Sequence, residues 1–105
     1  MKIIWSSELK EKIMNIPDKP GCYLMRDYNG QIIYIGKAVS LKKRVQGYFR
    51  THTYRNGNPK QRSLIKSIND FDLVILNNNE EAIITEGKLI KQYQPFYNVL
   101  WKDDK

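Results

Sequence analysis

The amino-acid sequence predicts a small α+β domain, in which a sheet of about three mostly antiparallel strands is flanked by helices. Residues 20–37 predict an N-terminal β-hairpin, because two apolar runs flank Asn29-Gly30 and an Asn-Gly pair is a strong hairpin-turn signal. Residues 72–76, with the sequence DLVIL, predict one later, buried strand. The segments around these strands show apolar residues at helical spacing. A chain of 105 residues has room for one such domain with a single modest core.

The predicted hairpin brings two tyrosines together. If the Asn-Gly pair forms a two-residue turn, Met25 lies opposite Tyr34 and Tyr23 lies opposite Gly36. Tyr23 and Tyr34 are then diagonal neighbours on one face of the sheet, close enough for their rings to meet. A three-residue loop would shift the register and separate them. Tyrosine is also favoured in strands for packing alone, so the hairpin by itself leaves a packing role and a functional role open.

Capping residues and prolines delimit the predicted helices. Pro17 ends the first helix, and residues 51–58 predict a polar loop between the second helix and the third. Asn58, Pro59 and Gln61 combine an N-cap, a first helical residue and a capping-box partner. The helices are predicted at residues 7–15, from the N-cap Ser40 to about Phe49, from the N-cap Asn58 through the buried positions Leu64, Ile65 and Ile68, and from Asn78 to the residue before Pro95.

Positive charge is concentrated in the middle of the chain. The formal net charge is +7, and residues 31–66 contain nine basic residues and no acid. A surface with positive charge alone suits the phosphates of a nucleic-acid backbone. For several of the lysines, the alternative is that they simply lie on a helix face in contact with solvent. Arg44 differs, because it borders the apolar side of its helix one turn before Tyr48 and therefore lies next to the sheet. The predicted DNA-binding residues are Lys37, Lys42, Lys43, Arg44, Arg50, Arg55, Lys60 and Arg62.

The composition excludes several kinds of site and segment. Cys22 is the single cysteine, so neither an internal disulfide nor a cysteine-based zinc site can form, and a reducing cytosol is the expected compartment. The N-terminal residues MKIIWSSELKEKI contain no long apolar run, which argues against a secretory signal and a membrane span. We therefore expect a cytoplasmic protein that binds an anionic partner and does not enter a membrane.

Glu86 is an acidic residue on the apolar side of the last predicted helix. Burying an unpaired carboxylate there is costly, so its position predicts a neighbouring cation, which is either a metal ion or a basic side chain. In the alternative without a functional role, Glu86 forms a salt bridge with a lysine or an arginine that only stabilises the fold. At helical spacing, the residues that share the side of Glu86 are Ala82, Ile83, Leu89, Ile90 and Tyr93.

The two hairpin tyrosines belong to a pair of motifs that resemble those of the GIY-YIG nucleases. Gly21-Cys22-Tyr23 is followed by Tyr34-Ile35-Gly36, with cysteine in place of the usual isoleucine. The segments IPDKPGCYLMRDYNG, YIGKAVSLKKRVQGYF and EEAIITEGKLIKQYQPFYNVLWKDDK are similar, in the same order, to UvrC-type N-terminal nuclease domains of bacterial excision-repair subunits. The resemblance extends from about Ile16 over nearly the whole chain. It implies the GIY-YIG type of α+β fold and a DNA endonuclease activity that depends on a divalent metal.

The resemblance also implies roles for individual residues. Tyr23 and Tyr34 match the two motif tyrosines, one of which helps to activate the attacking water; Tyr23 is the favoured base and Tyr34 the alternative. Glu86 matches the glutamate that holds the single metal ion. The remaining implied catalytic residues are Lys37 and Arg44 near the scissile phosphate, Tyr48 as a further site tyrosine and Asn98 as a support of the site.

These side chains suit the hydrolysis of a phosphodiester bond. A free tyrosine, with a pKa of about 10, is a weak base at pH 7, and cations such as Lys37 and a divalent metal can lower that pKa. Arg44 can bind a non-bridging phosphate oxygen through its forked guanidinium. One carboxylate, Glu86, suits Mg²⁺ or Mn²⁺ as a Lewis acid at the leaving oxygen. Thr85 and Gly87 depart from the family pattern without removing a functional group.

The resulting hypothesis is an endonuclease that makes the incision 3′ to a lesion in nucleotide excision repair. The alternatives are a stand-alone or mobile-element GIY-YIG endonuclease and a catalytically silent DNA-binding module. DNA is the expected partner, together with excision-repair proteins of the UvrA and UvrB type, and the isolated domain is expected to be a monomer of bacterial or phage origin. The chain is expected to form one domain, residues 1–105, with a helical segment at 1–15 and a catalytic core at 16–100.

Overall fold

The structure is a computed structural model that describes residues 5–50 and 55–102. Three antiparallel strands form a sheet in the order β2-β1-β3, so the strand of the first motif lies in its centre. Helices flank this sheet, which confirms the predicted α+β fold. In chain order the elements are α1 (Ser7–Met14), β1 (Gly21–Arg26), β2 (Ile32–Ala38), α2 (Leu41–Tyr48), α3 (Pro59–Ser67), β3 (Asp70–Ile75), α4 (Asn79–Tyr93) and α5 (Phe96–Lys102).

The starts of the helices agree with the capping residues in the sequence. The side chains of Ser40, Asn58 and Asn78 each accept a hydrogen bond from a backbone N–H in the first turn of α2, α3 and α4, respectively. Ser6 caps α1 in the same way. Pro59 is the first residue of α3, where its missing N–H would have had no partner within the helix. These starts can be predicted because the cap satisfies donors that the helix leaves free.

Three boundaries differ from the prediction. Strand β3 begins at Asp70, earlier than the predicted run of residues 72–76. The loop predicted between α2 and α3 is wrong at Arg55 and Asn56, which are helical, whereas residues 51–54 lie outside the described part of the chain. A further helix, α5, follows Pro95 directly. The sequence reading used this proline only as a helix stop, but proline also suits the beginning of a helix.

The turn of the hairpin is longer than the predicted two-residue turn. The N–H of Gly30 donates to the carbonyl of Asp27, and the N–H of Asp27 donates to the carbonyl of Gln31. The loop that the Asp27–Gln31 pair closes therefore contains three residues, 28–30, and only Gly30 among them has a positive φ, at 79°. A type I turn followed by a left-handed glycine is a common hairpin connection, and it needs no positive φ at Asn29.

A second irregularity restores the predicted register of the motif tyrosines. The pairing of β1 with β2 shifts by one residue between Met25 and Arg26, as in a β-bulge. The longer loop and this shift compensate each other. As a result, Tyr23 lies opposite Gly36 and Met25 lies opposite Tyr34, as predicted, although the predicted turn is wrong.

Tyr23 lies in the main hydrophobic core and is completely buried. A Cβ atom at Gly36 would lie only 2.3 Å from the Cζ and hydroxyl oxygen of Tyr23, so the tyrosine ring lies across β2 at the position of this glycine. The predicted buried side of α3 is confirmed, since Leu64, Ile65 and Ile68 are all buried in the same core.

Helix α4 buries less of its apolar side than predicted. Ala82 is completely buried, and Leu89 and Ile90 are half-buried, but Ile83 and Tyr93 are exposed. The apolar stripe predicted around Glu86 is therefore wrong for these two residues. The helix packs on β1 and β2, and a sheet of three strands covers only a narrow strip of a helix. None of the helices that the structure describes is long and apolar enough to cross a membrane.

We expect Gly36→Ala to destabilise the fold by about 1–3 kcal/mol or more, because the new methyl group overlaps a buried ring that has little room to move. Gly47→Ala in α2 is the matched control, since a Cβ there meets no atom of the described residues within 4 Å. Alanine favours a helix over glycine by up to ~1 kcal/mol, so this control should be neutral or stabilising. Urea unfolding of both variants measures the difference, and equal free energies of unfolding would contradict the ring contact.

Candidate active site

Three tyrosines and an arginine meet where the hairpin packs against α2. The hydroxyl oxygens of Tyr23 and Tyr48 are 3.0 Å apart, and the Nε–H of Arg44 donates to the hydroxyl oxygen of Tyr23 at 3.2 Å. The guanidinium carbon of Arg44 lies 5.9 Å from the ring centroid of Tyr48. The ring centroids of Tyr23 and Tyr34 are 6.2 Å apart, which confirms that the hairpin brings these rings together.

Burial makes negative charge unfavourable in this tyrosine cluster. It raises the pKa of Tyr34 to about 12; the neighbouring phenol of Tyr23 adds to the rise and Arg44 opposes it. Burial, again with a contribution from Tyr23, also raises the pKa of Tyr48. The hydrogen bond to Tyr23 raises the pKa of Arg44, so the guanidinium keeps its charge. Tyr34 and Tyr48 are therefore neutral at physiological pH unless a further cation enters the site.

An open cleft of about 340 Å³ begins at this cluster. The cluster residues Tyr34, Arg44 and Tyr48 border one side of it, and α3 borders the other. A smaller cleft of about 210 Å³ shares Arg44 and Tyr48 with the first one and adds Lys43. Lys60 lies on the α3 side of the larger cleft. The cations around this opening suit a phosphate backbone.

The predicted DNA-binding residues are all exposed, but they do not form one group. Lys43, Arg44 and Lys60 border the two clefts at the tyrosine cluster. Arg62 borders a different groove on the other side of α3. The remaining predicted residues lie outside these clefts, with Lys37 on β2 and Lys42, Arg50 and Arg55 at exposed positions elsewhere.

Glu86 lies beside β2, next to Lys37. Desolvation raises the pKa of its carboxyl group, while the charge of Lys37 and a hydrogen bond from the Lys37 backbone oppose this rise. Glu86 also contributes to the raised pKa of Tyr34, so the carboxylate is close enough to act on the tyrosine cluster. Among the described residues, no ion pair within 4.0 Å involves Glu86. A salt bridge therefore does not explain its partly buried position.

Cys22 connects α4 to the central strand beneath Glu86. Its buried thiol donates to the carbonyl of Ala82 at 3.3 Å. Burial raises the pKa of this thiol to about 11, with Glu86 adding to the rise and Lys37 opposing it. The thiol is therefore protonated and unreactive at neutral pH. The sequence identified Cys22 as the single cysteine and as the middle residue of the first motif, but it did not predict the contact with Ala82.

The residues around Glu86 fit a single hydrated divalent cation. In the part of the chain that the structure describes, no three histidine, cysteine, aspartate or glutamate side chains come together, so a cage of several protein ligands is absent there. Mg²⁺ keeps several of its waters and needs only one or two carboxylates. A half-buried carboxylate without an ion-pair partner, whose pKa is raised by desolvation, is a suitable single ligand for such an ion.

Asn98 holds the free edge of β2. Its side-chain oxygen accepts the N–H of Ile35 at 2.8 Å, and its side-chain nitrogen donates to the carbonyl of Ile35 at 2.9 Å. This edge faces away from β1, so the asparagine amide takes the place of a neighbouring strand. Asn98 thus contacts the strand that carries Tyr34 and Lys37, and helix α5 brings it there.

Trp101 is a residue at the cleft that sequence reasoning missed. Its ring lies 5.3 Å from the ring of Tyr34 and borders the cleft. It follows Asn98 by three residues, so both side chains lie on the same face of α5. That spacing was the available signal, but it could not be used because α5 was not predicted.

Comparison with known proteins decides the family. A family model described as the UvrC-like GIY-YIG domain matches residues 19–99. The chain belongs to this UvrC-like GIY-YIG family. Similar proteins of this family include UvrABC system protein C of Caldicellulosiruptor saccharolyticus, with 47% identity over 97 residues, and that of Acetivibrio thermocellus, with 45% identity over 98 residues. These matches cover 92% and 93% of this chain but only 16% and 15% of the relatives' own length.

The fold is similar to a solved domain of the same family. The GIY-YIG N-terminal endonuclease domain of UvrC from Thermotoga maritima, bound to magnesium as its catalytic divalent cation, matches with a TM-score of 0.73 and 30% identity. The match covers 88% of this chain and 97% of that one. Other solved forms of that domain carry a tyrosine-to-phenylalanine or an asparagine-to-alanine substitution, and they are also bound to the cation. The GIY-YIG type predicted for the fold is thereby confirmed.

We expect Asn98→Ala to lower the free energy of unfolding by about 1–3 kcal/mol, because it leaves the N–H and carbonyl of Ile35 without their partner at a partly buried edge. Asn77→Ala is the control, since Asn77 is exposed and, within the described residues, its side chain donates hydrogen bonds to Glu81 alone. Its effect should stay within about 0.5 kcal/mol. Urea unfolding provides the measurement, and hydrogen exchange at the Ile35 amide should be faster only in the Asn98 variant.

Proposed function

We propose that this chain is a divalent-metal-dependent DNA endonuclease that hydrolyses a phosphodiester bond, and that it makes the 3′ incision of UvrC-type excision repair. The observation that carries the proposal is the contact of Arg44 with the tyrosine cluster at an open basic cleft, with the Glu86 carboxylate close by. The similar domain from Thermotoga maritima is an endonuclease domain bound to magnesium, which supports the same chemistry here.

In this proposal Arg44 binds the scissile phosphate. Its Nε is already bonded to the hydroxyl of Tyr23, which leaves the two terminal guanidinium nitrogens for phosphate oxygens. The guanidinium remains charged at any pH at which the protein is folded. Lys43 and Lys60 border the same opening and attract the neighbouring phosphates. DNA binding through these contacts depends on the backbone and carries no sequence preference.

Tyr34 is better placed than Tyr23 to meet the attacking water. Tyr34 borders the cleft, whereas Tyr23 is completely buried and its hydroxyl contacts Arg44 and Tyr48. We therefore assign the orientation or deprotonation of water to Tyr34 and the positioning of Arg44 to Tyr23, in place of the base role expected for Tyr23. A pKa of about 12 for Tyr34 means that a base role needs a further cation nearby.

Glu86 is the residue that would hold the metal ion. Mg²⁺ or Mn²⁺ there supplies a Lewis acid that stabilises the negative charge developing at the phosphate and the leaving oxygen. Lys37 supports the carboxylate with its charge and its backbone N–H. In the similar Thermotoga maritima domain, variants that lack a tyrosine hydroxyl or an asparagine amide keep the cation, which supports a carboxylate as the main ligand.

The cellular setting follows from the relatives. They are named as components of the UvrABC system, so we propose that the chain acts on DNA in the cytoplasm, as a monomeric domain that works with proteins of the UvrA and UvrB type. The rival interpretations are a GIY-YIG endonuclease outside excision repair and a silent DNA-binding module. Incubation with lesion-bearing, nicked and branched DNA, with and without the partner proteins, distinguishes all three.

The central test of the proposal is Glu86→Gln. We expect the variant to fold normally, to bind DNA and to lose cleavage in both Mg²⁺ and Mn²⁺. The free energy of unfolding without metal should hold or rise, because the amide lacks the charge whose desolvation raises the pKa of Glu86. Metal should raise the melting temperature of the parent protein but not that of the variant. Gel assays of labelled DNA and thermal melts provide the measurements.

Glu80→Gln is the matched control for this substitution. Glu80 is exposed in the first turn of the same helix, so its variant should cut DNA at the parental rate. The metal assignment is wrong if Glu86→Gln unfolds the protein or still cuts DNA at a near-parental rate.

Two further variants distinguish the role proposed for Tyr34 from the role proposed for Tyr23. Tyr34→Phe should slow cleavage on the order of 10²-fold or more while DNA affinity changes little, because only the hydroxyl at the cleft is lost. Tyr23→Phe should also weaken DNA binding, because Arg44 loses its acceptor. Tyr93→Phe, at an exposed position on α4, is the control. If both cluster variants keep the parental rate, the tyrosines serve packing alone.

A further inference from the structure

A second groove lies away from the tyrosine cluster, between the hairpin loop, the end of α3 and the start of α5. Its volume is about 490 Å³, and its lining includes Tyr28, Lys66, Ser67, Phe96 and Tyr97. None of these residues belongs to the predicted catalytic or DNA-binding set. The groove therefore needs an explanation of its own.

Two aromatic side chains at this groove are exposed, and both stand on backbone whose path is fixed. Tyr28 is 72% exposed and Phe96 is 62% exposed. Tyr28 is part of the three-residue loop of the hairpin. Backbone hydrogen bonds between Asp27 and Gln31 and between Gly30 and Asp27 close this loop. Phe96 follows the completely buried Pro95, and its ring lies edge-on against Tyr97 with 5.0 Å between the centroids. Exposed aromatic faces can stack on a flat partner, and the contact with Tyr97 lowers the conformational entropy that the Phe96 ring loses on binding.

Taken together, this groove and the one next to it carry a small excess of positive charge that suits an anionic partner. Lys66 borders this groove and also an adjoining groove of about 470 Å³ that is lined by Arg62 and Ser63. Among the described residues that line the groove, Asp27 is the one carboxylate, and it accepts hydrogen bonds from backbone N–H groups of its own loop. The partner that matches this lining carries both flat rings and negative charges.

Helix α3 is the wall between these grooves and the cleft at the tyrosine cluster. Lys60, Gln61 and Leu64 border the cleft, whereas Arg62 and Lys66 border the grooves. With a rise of about 1.5 Å per residue, Lys60 and Lys66 are only about 9 Å apart along the helix axis. A helix with its side chains is about 10–12 Å across, so a nucleic-acid strand that crosses α3 reaches both sides within a few nucleotides.

We propose that the groove between Tyr28 and Phe96 binds unpaired nucleotides of a DNA strand that extends from the duplex in the cleft; this inference rests on the proposed endonuclease function. Exposed aromatic rings stack only on a base whose face is free, and in a duplex each base face is covered by its neighbours. The bases stack on Tyr28 and Phe96, and the phosphates follow Lys66 and Arg62. A single-stranded segment, and not a duplex, is the ligand of this groove.

Binding of two oligomers without metal tests this proposal. The probes are a fluorescent oligothymidine of about 12 nucleotides, within the site sizes of single-strand binders, and an abasic oligomer of the same length. Phe96→Ala and Tyr28→Ala should each weaken oligothymidine binding on the order of tenfold and leave the abasic oligomer unaffected. Lys66→Ala should weaken the binding of both oligomers, because both carry the same phosphates. Fluorescence anisotropy in EDTA gives the affinities.

Matched controls come from α4. Tyr93→Ala removes another exposed aromatic ring and Lys91→Ala another exposed lysine, and neither borders the groove, so oligothymidine binding should not change. Phe96→Leu keeps apolar bulk against Tyr97 but has no aromatic face, so it should weaken oligothymidine binding like Phe96→Ala. This variant separates lost stacking from a disturbed fold.

Two results would overturn the proposal. One is a parent protein that binds oligothymidine no more tightly than the abasic oligomer, and the other is an equal effect of Tyr93→Ala and Phe96→Ala. Cleavage is measured separately with lesion-bearing, nicked and branched DNA in Mg²⁺ and Mn²⁺, with and without the partner proteins. A parent protein that cuts no DNA but shows the aromatic-dependent oligothymidine binding contradicts the proposed function and leaves the groove assignment supported.

Discussion

The ring of Tyr23 lies across the backbone of Gly36, and the rest of the candidate site depends on this contact. Because β2 has no side chain at this position, the ring passes over the strand and its hydroxyl reaches Tyr48 and Arg44 on α2. The central strand, the edge strand and a helix thus meet at one phenol. Tyr23 belongs both to the core and to the site. The position of Arg44 therefore depends on how the Tyr23 ring packs.

The edge of β2 imposes the second constraint. The other edge of this strand pairs with β1, and unpaired backbone groups at a sheet edge need partners. Asn98 pairs with both backbone groups of Ile35, and Glu86 accepts a hydrogen bond from the backbone of Lys37. The contacts that complete the sheet are therefore the same contacts that bring α4, α5 and the candidate metal ligand to the strand.

One physical cause connects the titrating groups of this region. Burial is the largest reason for the raised pKa values of Tyr34, Tyr48, Glu86 and Cys22. Burial makes the ionised form of each group unfavourable, and Arg44 and Lys37 oppose this effect only in part. A bound divalent cation is the change that relieves this imbalance most directly. The proposed dependence on metal therefore agrees with the electrostatics of the protein alone.

The sequence by itself determined the helix starts and the buried side of α3, because caps and helical spacing act between residues close in the chain. It also predicted that Tyr23 meets Tyr34, but in the structure this contact depends on a bulge that the sequence did not reveal. It gave the wrong hairpin turn, since Gly30 alone supplies the positive φ and a bulge restores the register. It missed α5 and the partners of Cys22 and Asn98. Only the tertiary structure decided these contacts, because they join residues 60 and 63 positions apart, whose approach depends on how the helices pack on the sheet.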